Sequence, residues 1–129
     1  MSKKRVIDCG NCGPDHSSIS RLLRSLFDVE IVQTNTGDET LVELQRQRAD
    51  LVLVNRKLDI DYSDGMKVIQ QLKSSADFAD IPVMLVTNHD EYQQHAVAAG
   101  ALYGFGKLEL SSPLTKDRLT AVLGDTAKN

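Results

Sequence analysis

Apolar and polar positions along the chain switch period in a regular order. A short apolar run over residues 4–9, interrupted by Asp8, reads as a strand. Gly10, Gly13 and Pro14 punctuate it as a turn. Over 15–27, Ile19, Leu22, Leu23 and Leu26 share one helical stripe. A β-branched run over 29–33 predicts a second strand, and a polar loop over 34–38 leads to a helix over 40–48 with Leu41 and Leu44 on its apolar side. Leu51, Val52, Leu53 and Val54 are unbroken apolar sequence, as suits a central parallel strand covered on both faces. After an Asp-rich loop over 56–65, Met66, Ile69 and Leu72 align on a helix over 66–73. A second apolar strand spans 81–86 and ends at Thr87, and Asp90 is the expected cap of a helix over 90–99. A strand over 101–105, weakened by Gly104, precedes Ser112 and Pro113, which open a last helix reaching Leu123. Residues 124–129 read as a frayed tail.

Five strand–helix units in this order predict an α/β fold, a doubly wound five-stranded parallel sheet in a three-layer αβα sandwich. Ligands of such sheets bind beyond the carboxyl ends of the strands, here at residues 10–13, Asn55, Thr87 and Lys107. The 129 residues fit one domain, 1–129, with its core over about 4–123. Hydrophobic residues at 41% and charged residues at 26% argue against disorder. A net charge of −3 speaks against binding nucleic acid through its phosphates, and Lys3, Lys4 and Arg5 read as a short solvated run. No apolar run approaches the ~20 residues of a membrane helix, and no apolar segment follows the first charges. A cytoplasmic protein with no membrane or nucleic-acid partner is therefore expected.

The stretches from Ala49 to Asn55, from Ile81 to Thr87, and Ala99-Gly100-Ala101 leading to Lys107 are similar to the receiver domain of two-component response regulators, a flavodoxin-like fold with strand order 2-1-3-4-5. The resemblance runs from about Lys4 to Leu123. In that family an acidic pair after the first strand holds Mg²⁺, an aspartate ending the third strand accepts phosphate, a Thr or Ser ends the fourth and a Lys ends the fifth. Carried over, Thr87 and Lys107 stand at the phosphate-contact positions, Asn55 at the phosphoacceptor, and Asn11 and Cys12, anchored on Pro14, at the acidic pair.

These replacements change the chemistry. Phosphorylation there is attack by a carboxylate oxygen on phosphorus, and a neutral amide oxygen is a poor nucleophile. Magnesium wants hard, anionic oxygen ligands, whereas Asn11 offers a neutral carbonyl and Cys12 a soft thiol. Mg²⁺ binding is thus expected to be weak or absent, with no other cofactor and no enzymatic activity. Asp8, Asp15 or Asp59 can supply Lys107 with a compensating carboxylate, and Asp8, a charge within a strand, can also share the acidic-pair role. Read singly, Asn55 also fits a turn residue, Thr87 a β-branched strand end and Lys107 a solvated lysine. The resemblance implies a stand-alone pseudo-receiver in phosphorelay signalling, acting by protein–protein interaction on a histidine kinase or an output protein, with the fourth-helix to fifth-helix face as a candidate homodimer surface. The family's aromatic three residues before the lysine falls on Gly104, flanked by Tyr103 and Phe105, and Leu108 replaces the proline that commonly follows the lysine. The loop after Asn55 is about two residues longer than usual and the interval from Thr87 to Lys107 about two shorter.

Cys9-Gly10-Asn11-Cys12 carries a competing reading. A Cys-x-x-Cys at a strand-to-helix turn fits a redox or thiol-sensing dithiol, because a helix N-terminus lowers a thiol pKa. His16 adds a third donor, one short of a zinc site. Plain structural roles for both cysteines stay open, and His89 and His95 read as surface residues.

Overall fold

The unbroken apolar run 51–54 becomes the middle of the sheet. The computed structural model of the chain describes residues 3–124. Its strands are β1 (Lys4–Cys9), β2 (Val29–Thr34), β3 (Leu51–Asn55), β4 (Val83–Val86) and β5 (Leu102–Phe105), all parallel in the order β2-β1-β3-β4-β5. Between and after them run α1 (Gly13–Leu26), α2 (Gly37–Arg46), α3 (Gly65–Lys73), α4 (Asp90–Ala98) and α5 (Pro113–Leu123), with a short 3-10 turn over Lys107–Glu109. The flavodoxin-like topology is as the sequence predicts.

Alternation along each strand builds two cores. Ile7, Cys9, Val52, Val54, Val83 and Leu85 face Leu44 of α2, Ile69 and Leu72 of α3 and Ala96 of α4. Val6, Leu51, Leu53, Met84, Val86 and Phe105 face Ile19 and Leu23 of α1 and Leu119 and Leu123 of α5. Every residue of 51–54 is fully buried, as a strand covered on both faces demands.

Helix starts are where expectation and structure part. Helix α1 begins at Gly13, two residues early, because Pro14 suits a first turn. Helix α2 begins at Gly37: Thr36 caps it by accepting from Glu39 N at 3.1 Å, while Glu39 Oε1 accepts from Asn35 N at 3.0 Å. Asp64, within the expected loop over 56–65, caps α3 by accepting from Met66 N. The expected cap of α4, Asp90, is instead its first helical residue, and His89 takes the cap position without a side-chain bond. Strand β4 starts at Val83, since Pro82 has no N–H for the ladder. Ser112 and Pro113 open α5 as expected, with Ser112 Oγ accepting from Leu114 N. Arg5 is not solvated: it is 5% exposed, and its guanidinium donates to Gln47 O at 2.6 Å and Glu43 Oε1 at 3.0 Å. Most of the expected tail, residues 125–129, lies outside the described residues.

Candidate functional site

Parallel strands deliver their last side chains to one end of the sheet, and the connections there form the candidate site. The β1–β3 register pairs Cys9 with Val54, so the turn at Gly10 lies beside Asn55. Asn55 donates its amide to Lys57 O at 2.7 Å and, at 3.4 Å, to Gly10 O. Both bonds use Nδ2 as donor, a role no carboxylate can fill.

The longer loop after Asn55 folds back over the first turn. Asp59 N donates to Gly10 O at 2.9 Å, and Leu58, 3% exposed, packs on Gly10. Gly10 has φ +85°, and a Cβ there would meet Leu58 Cδ2 at 2.3 Å, so only glycine fits beneath this loop. The loop closes on itself through Leu58 N to Ser63 O and Tyr62 N to Leu58 O, with Tyr62 in the left-handed region at φ 58°. Asn11 is 2% exposed, and its backbone oxygen accepts from Gln33 Nε2 at 3.1 Å.

Asp8 and Asp15 both have partners. Asp8, fully buried, accepts from Asn11 Nδ2 at 2.6 Å on one oxygen and meets His16 Nδ1 at 2.7 Å on the other. His16 Nε2 lies 3.4 Å from Ser20 Oγ. Lys107 pairs with Asp15, Nζ to Oδ2 at 2.8 Å, not with Asp8 or Asp59. The Cys12 thiol donates to the same Asp15 oxygen at 3.2 Å. The Lys107 hydrogen bond holds the Asp15 carboxyl below its usual range, with partial burial opposing and Cys12 assisting. Asn11 and Cys12 are thus brought to the first loop, but as partners of Asp8 and Asp15. A neutral amide and a thiol beside two committed carboxylates make a poor donor set for Mg²⁺. Among the described residues no three His, Cys, Asp or Glu side chains form a metal-holding group.

The two cysteines occupy different surroundings. Cys9 is fully buried against the α2 and α3 side, and burial first of all raises its thiol pKa, against hydrogen bonds from Thr40 and Thr34. A buried thiol with a raised pKa lacks the thiolate character of a redox centre. Cys12 sits at the cap position of α1, partly exposed, and both thiols are free.

Beyond β3 and β4 lies a cleft of about 270 Å³ lined by Asn55, Arg56, Lys57, Val86, Thr87, Asn88, His89 and Lys107. Thr87 is 8% exposed, and its Oγ1 accepts from His89 N at 3.2 Å. Arg56 stacks on Tyr92 of α4, with Cζ 3.8 Å from the ring centroid. Asn55, Thr87 and Lys107 are therefore brought together, as their spacing predicts. Arg56 and His89 are not anticipated from the sequence, where the one available signal is that Arg56 directly follows Asn55.

Strand β5 carries a second unforeseen device. Its register against β4 runs Met84 to Leu102 and then Val86 to Phe105, so one extra residue is accommodated between them. Gly104, three residues before Lys107, lies within this bulge, with Tyr103 and Phe105 on either side of it. Tyr103 lies under Arg118, 4.3 Å from Cζ to ring centroid, and its hydroxyl donates to Asp90 Oδ1. Phe105 turns into the core on the α1 and α5 side. Gln93, 2% exposed, spans the irregularity: Nε2 donates to Leu85 O at 2.9 Å and Thr87 O at 3.3 Å, while Oε1 accepts from Gly104 N at 2.7 Å.

Comparison with known proteins bears on the fold and the family. No curated protein sequence matches the chain. Among solved structures, the signal receiver domain of a DNA-binding response regulator from Colwellia psychrerythraea superposes with TM-score 0.76 at 20% identity, covering 92% of this chain and 97% of that one. The phosphorylated cyanobacterial phytochrome response regulator RcpA gives 0.75 at 20% identity over 95% and 96% of the two chains. The receiver domain of a sensor histidine kinase from Pseudomonas aeruginosa, with magnesium in its active-site cleft, gives 0.68 at 18% identity over 95% of each. At such identities these likenesses speak to the fold alone. The family model described as the response regulator receiver domain matches residues 14–122, a span that begins just after Asn11 and Cys12. This chain belongs to the response regulator receiver domain family.

Proposed function

We propose that this receiver domain is a pseudo-receiver: Asn55 takes no phosphoryl group, Mg²⁺ binds weakly or not at all, and the domain signals by binding another signalling protein. The observation that carries this reading is the amide at the tip of β3, which donates to Lys57 O at 2.7 Å where the family's chemistry uses a nucleophilic carboxylate. The commitment of Asp8 to His16 and Asn11, and of Asp15 to Lys107, supports it, since a metal would have to break those bonds. The domain catalyses no reaction of its own in this reading. Val97 of α4, Leu102 of β5 and Leu114 of α5 are exposed apolar side chains that fit a protein partner or a second copy on the α4–β5–α5 side.

The test is intact mass after incubation with acetyl phosphate and Mg²⁺. The wild-type protein should keep its mass, and a stoichiometric phosphoryl adduct would overturn the proposal. Asn55→Asp alone should label poorly, because Asn11 and Cys12 remain where metal ligands are needed and the new carboxylate faces Lys57 O. Robust Mg²⁺-dependent labelling of that variant would show the metal-site reading to be wrong.

A further inference from the structure

The loop over 58–64 holds an aromatic side chain out in solvent. Tyr62 is 76% exposed and lies in the left-handed region at φ 58°, a strained conformation for a bulky residue. The loop is braced to keep it there: Lys57 and Asp64 bridge its base, and Ser63 N donates to Asp61 Oδ1 at 2.9 Å. Ile60, two positions earlier, is 59% exposed. Residues 58–64 carry three carboxylates, Asp59, Asp61 and Asp64, and no cation. All three are exposed, and none has a cationic partner among the described residues. A braced loop loses little entropy on docking, and a rigid aromatic is the kind of anchor that carries binding.

The complement to this loop lies on α1. Ser17, Ser20, Arg21 and Arg24 recur at helical spacing on one side of that helix, while Ile19 and Leu23 face the core. With His16 they line a groove of about 410 Å³, and no Asp or Glu lines it. Arg21 and Arg24 are exposed, and neither has a carboxylate partner among the described residues. Guanidinium groups stack on aromatic faces, and this chain makes two such stacks: Arg56 on Tyr92 at 3.8 Å and Arg118 on Tyr103 at 4.3 Å. Tyr62 is the third tyrosine of the chain and, among the described residues, the one without an arginine on its ring.

We propose that the α1 groove receives the loop over 58–64 of a second copy of this chain, with Tyr62 stacked on an arginine and the Asp carboxylates paired with the guanidinium groups. Charge complementarity selects this occupant: carboxylates without cations on one surface answer guanidinium groups without carboxylates on another surface of the same chain. The two patches differ, so the contact is heterologous, and each copy offers one loop and one groove. A contact this small is weak and depends on concentration. It leaves the α4–β5–α5 side unused and is independent of whether Asn55 takes a phosphoryl group.

The test is sedimentation velocity of the full chain from roughly 10 μM to 1 mM, in about 50 mM and about 500 mM NaCl. At low salt the mean mass should rise with concentration, with a dissociation constant on the order of 100 μM. High salt should weaken the association at least about fivefold, since exposed charges are screened. Tyr62→Ala removes the loop anchor, and Arg21→Glu combined with Arg24→Glu reverses the groove. Each variant alone should associate at least about tenfold more weakly than the wild type. These positions are exposed, so thermal unfolding should be unchanged. Each variant keeps one intact half, so mixing the two should restore a one-to-one complex with an affinity within about threefold of the wild-type contact. A chain that stays monomeric to about 1 mM at low salt would overturn the proposal. So would association that survives in both variants, which would place the self-contact on another face. Failure of the mixed variants to pair would overturn it as well, because loop and groove would then not be partners.

Discussion

Lys107 and Asp15 form a half-exposed ion pair at the mouth of the site, with side chains 31% and 35% exposed. Lys107 lowers the Asp15 pKa from 3.8, so folding gains stability that is fully present above that value and is lost as pH falls through the folded value. Solvent screening at this exposure keeps the gain below about 1 kcal/mol. Lys107→Met should therefore move the Asp15 titration back up with little loss of stability, read by carbon-detected NMR of the side-chain carboxyl. An Asp15 curve identical in both proteins would mean the pair does not form in solution. The sequence names Asp15 as one of three candidate partners but cannot choose, because the choice depends on where α1 starts. With Pro14 in its first turn, the helix brings Asp15 within reach of Lys107 and His16 within reach of Asp8. Asp8 is the more telling residue in the sequence, while its partner His16, eight positions on, reads there as a third donor beside the cysteines and not as a partner for Asp8. Arg5 shows the same limit: in sequence it closes a basic run with Lys3 and Lys4, while its bonds go to Glu43 and Gln47 across the fold.

At the scale of elements, apolar runs make β3 and β4 legible, because parallel strands buried on both faces are apolar throughout. Helix starts were harder, since caps at Thr36 and Asp64 are polar residues that look like loop until their bonds are seen. The β5 bulge was invisible for a related reason: its specification is shared between elements. Gly104 leaves no room for a side chain, as a Cβ would meet Leu85 O at 2.3 Å, and Gln93 from α4 supplies the hydrogen bonds the ladder loses there. Gln93→Leu removes the acceptor for Gly104 N and a donor to Leu85 O in a buried setting. Each orphaned group costs roughly 1–3 kcal/mol, so the variant should lose at least about 2 kcal/mol in urea unfolding. A loss within about 0.5 kcal/mol of zero would show that the bulge does not depend on Gln93. The same network ties the backbone of Thr87 to β5, and Tyr103 is held by Asp90 and Arg118. Thr87 and Tyr103 are thus both held by side chains of α4, and Tyr103 by one of α5 as well.

The whole molecule integrates these local departures into one thermodynamic expectation. A ligand that binds only the folded state stabilises it by RT ln(1 + [L]/Kd). A receiver site with an affinity for Mg²⁺ of about 0.5 mM would gain about 1.4 kcal/mol at 5 mM Mg²⁺, raising Tm by roughly 4–7 °C for a domain of this size. On the pseudo-receiver proposal, which reads Asn11 and Cys12 as the acidic-pair positions, and with Asp8 and Asp15 bound elsewhere, the dissociation constant should exceed about 10 mM, giving no more than about 0.25 kcal/mol and a shift near 1 °C. Thermal melts at fixed ionic strength with MgCl₂ or NaCl discriminate between the two cases, because nonspecific screening acts in both salts while site binding acts in one. A magnesium-specific rise of several degrees would mean that Asp8 or Asp15 exchanges its present partner for the metal, and a repeat with Asp15→Asn would then tell which carboxylate had moved.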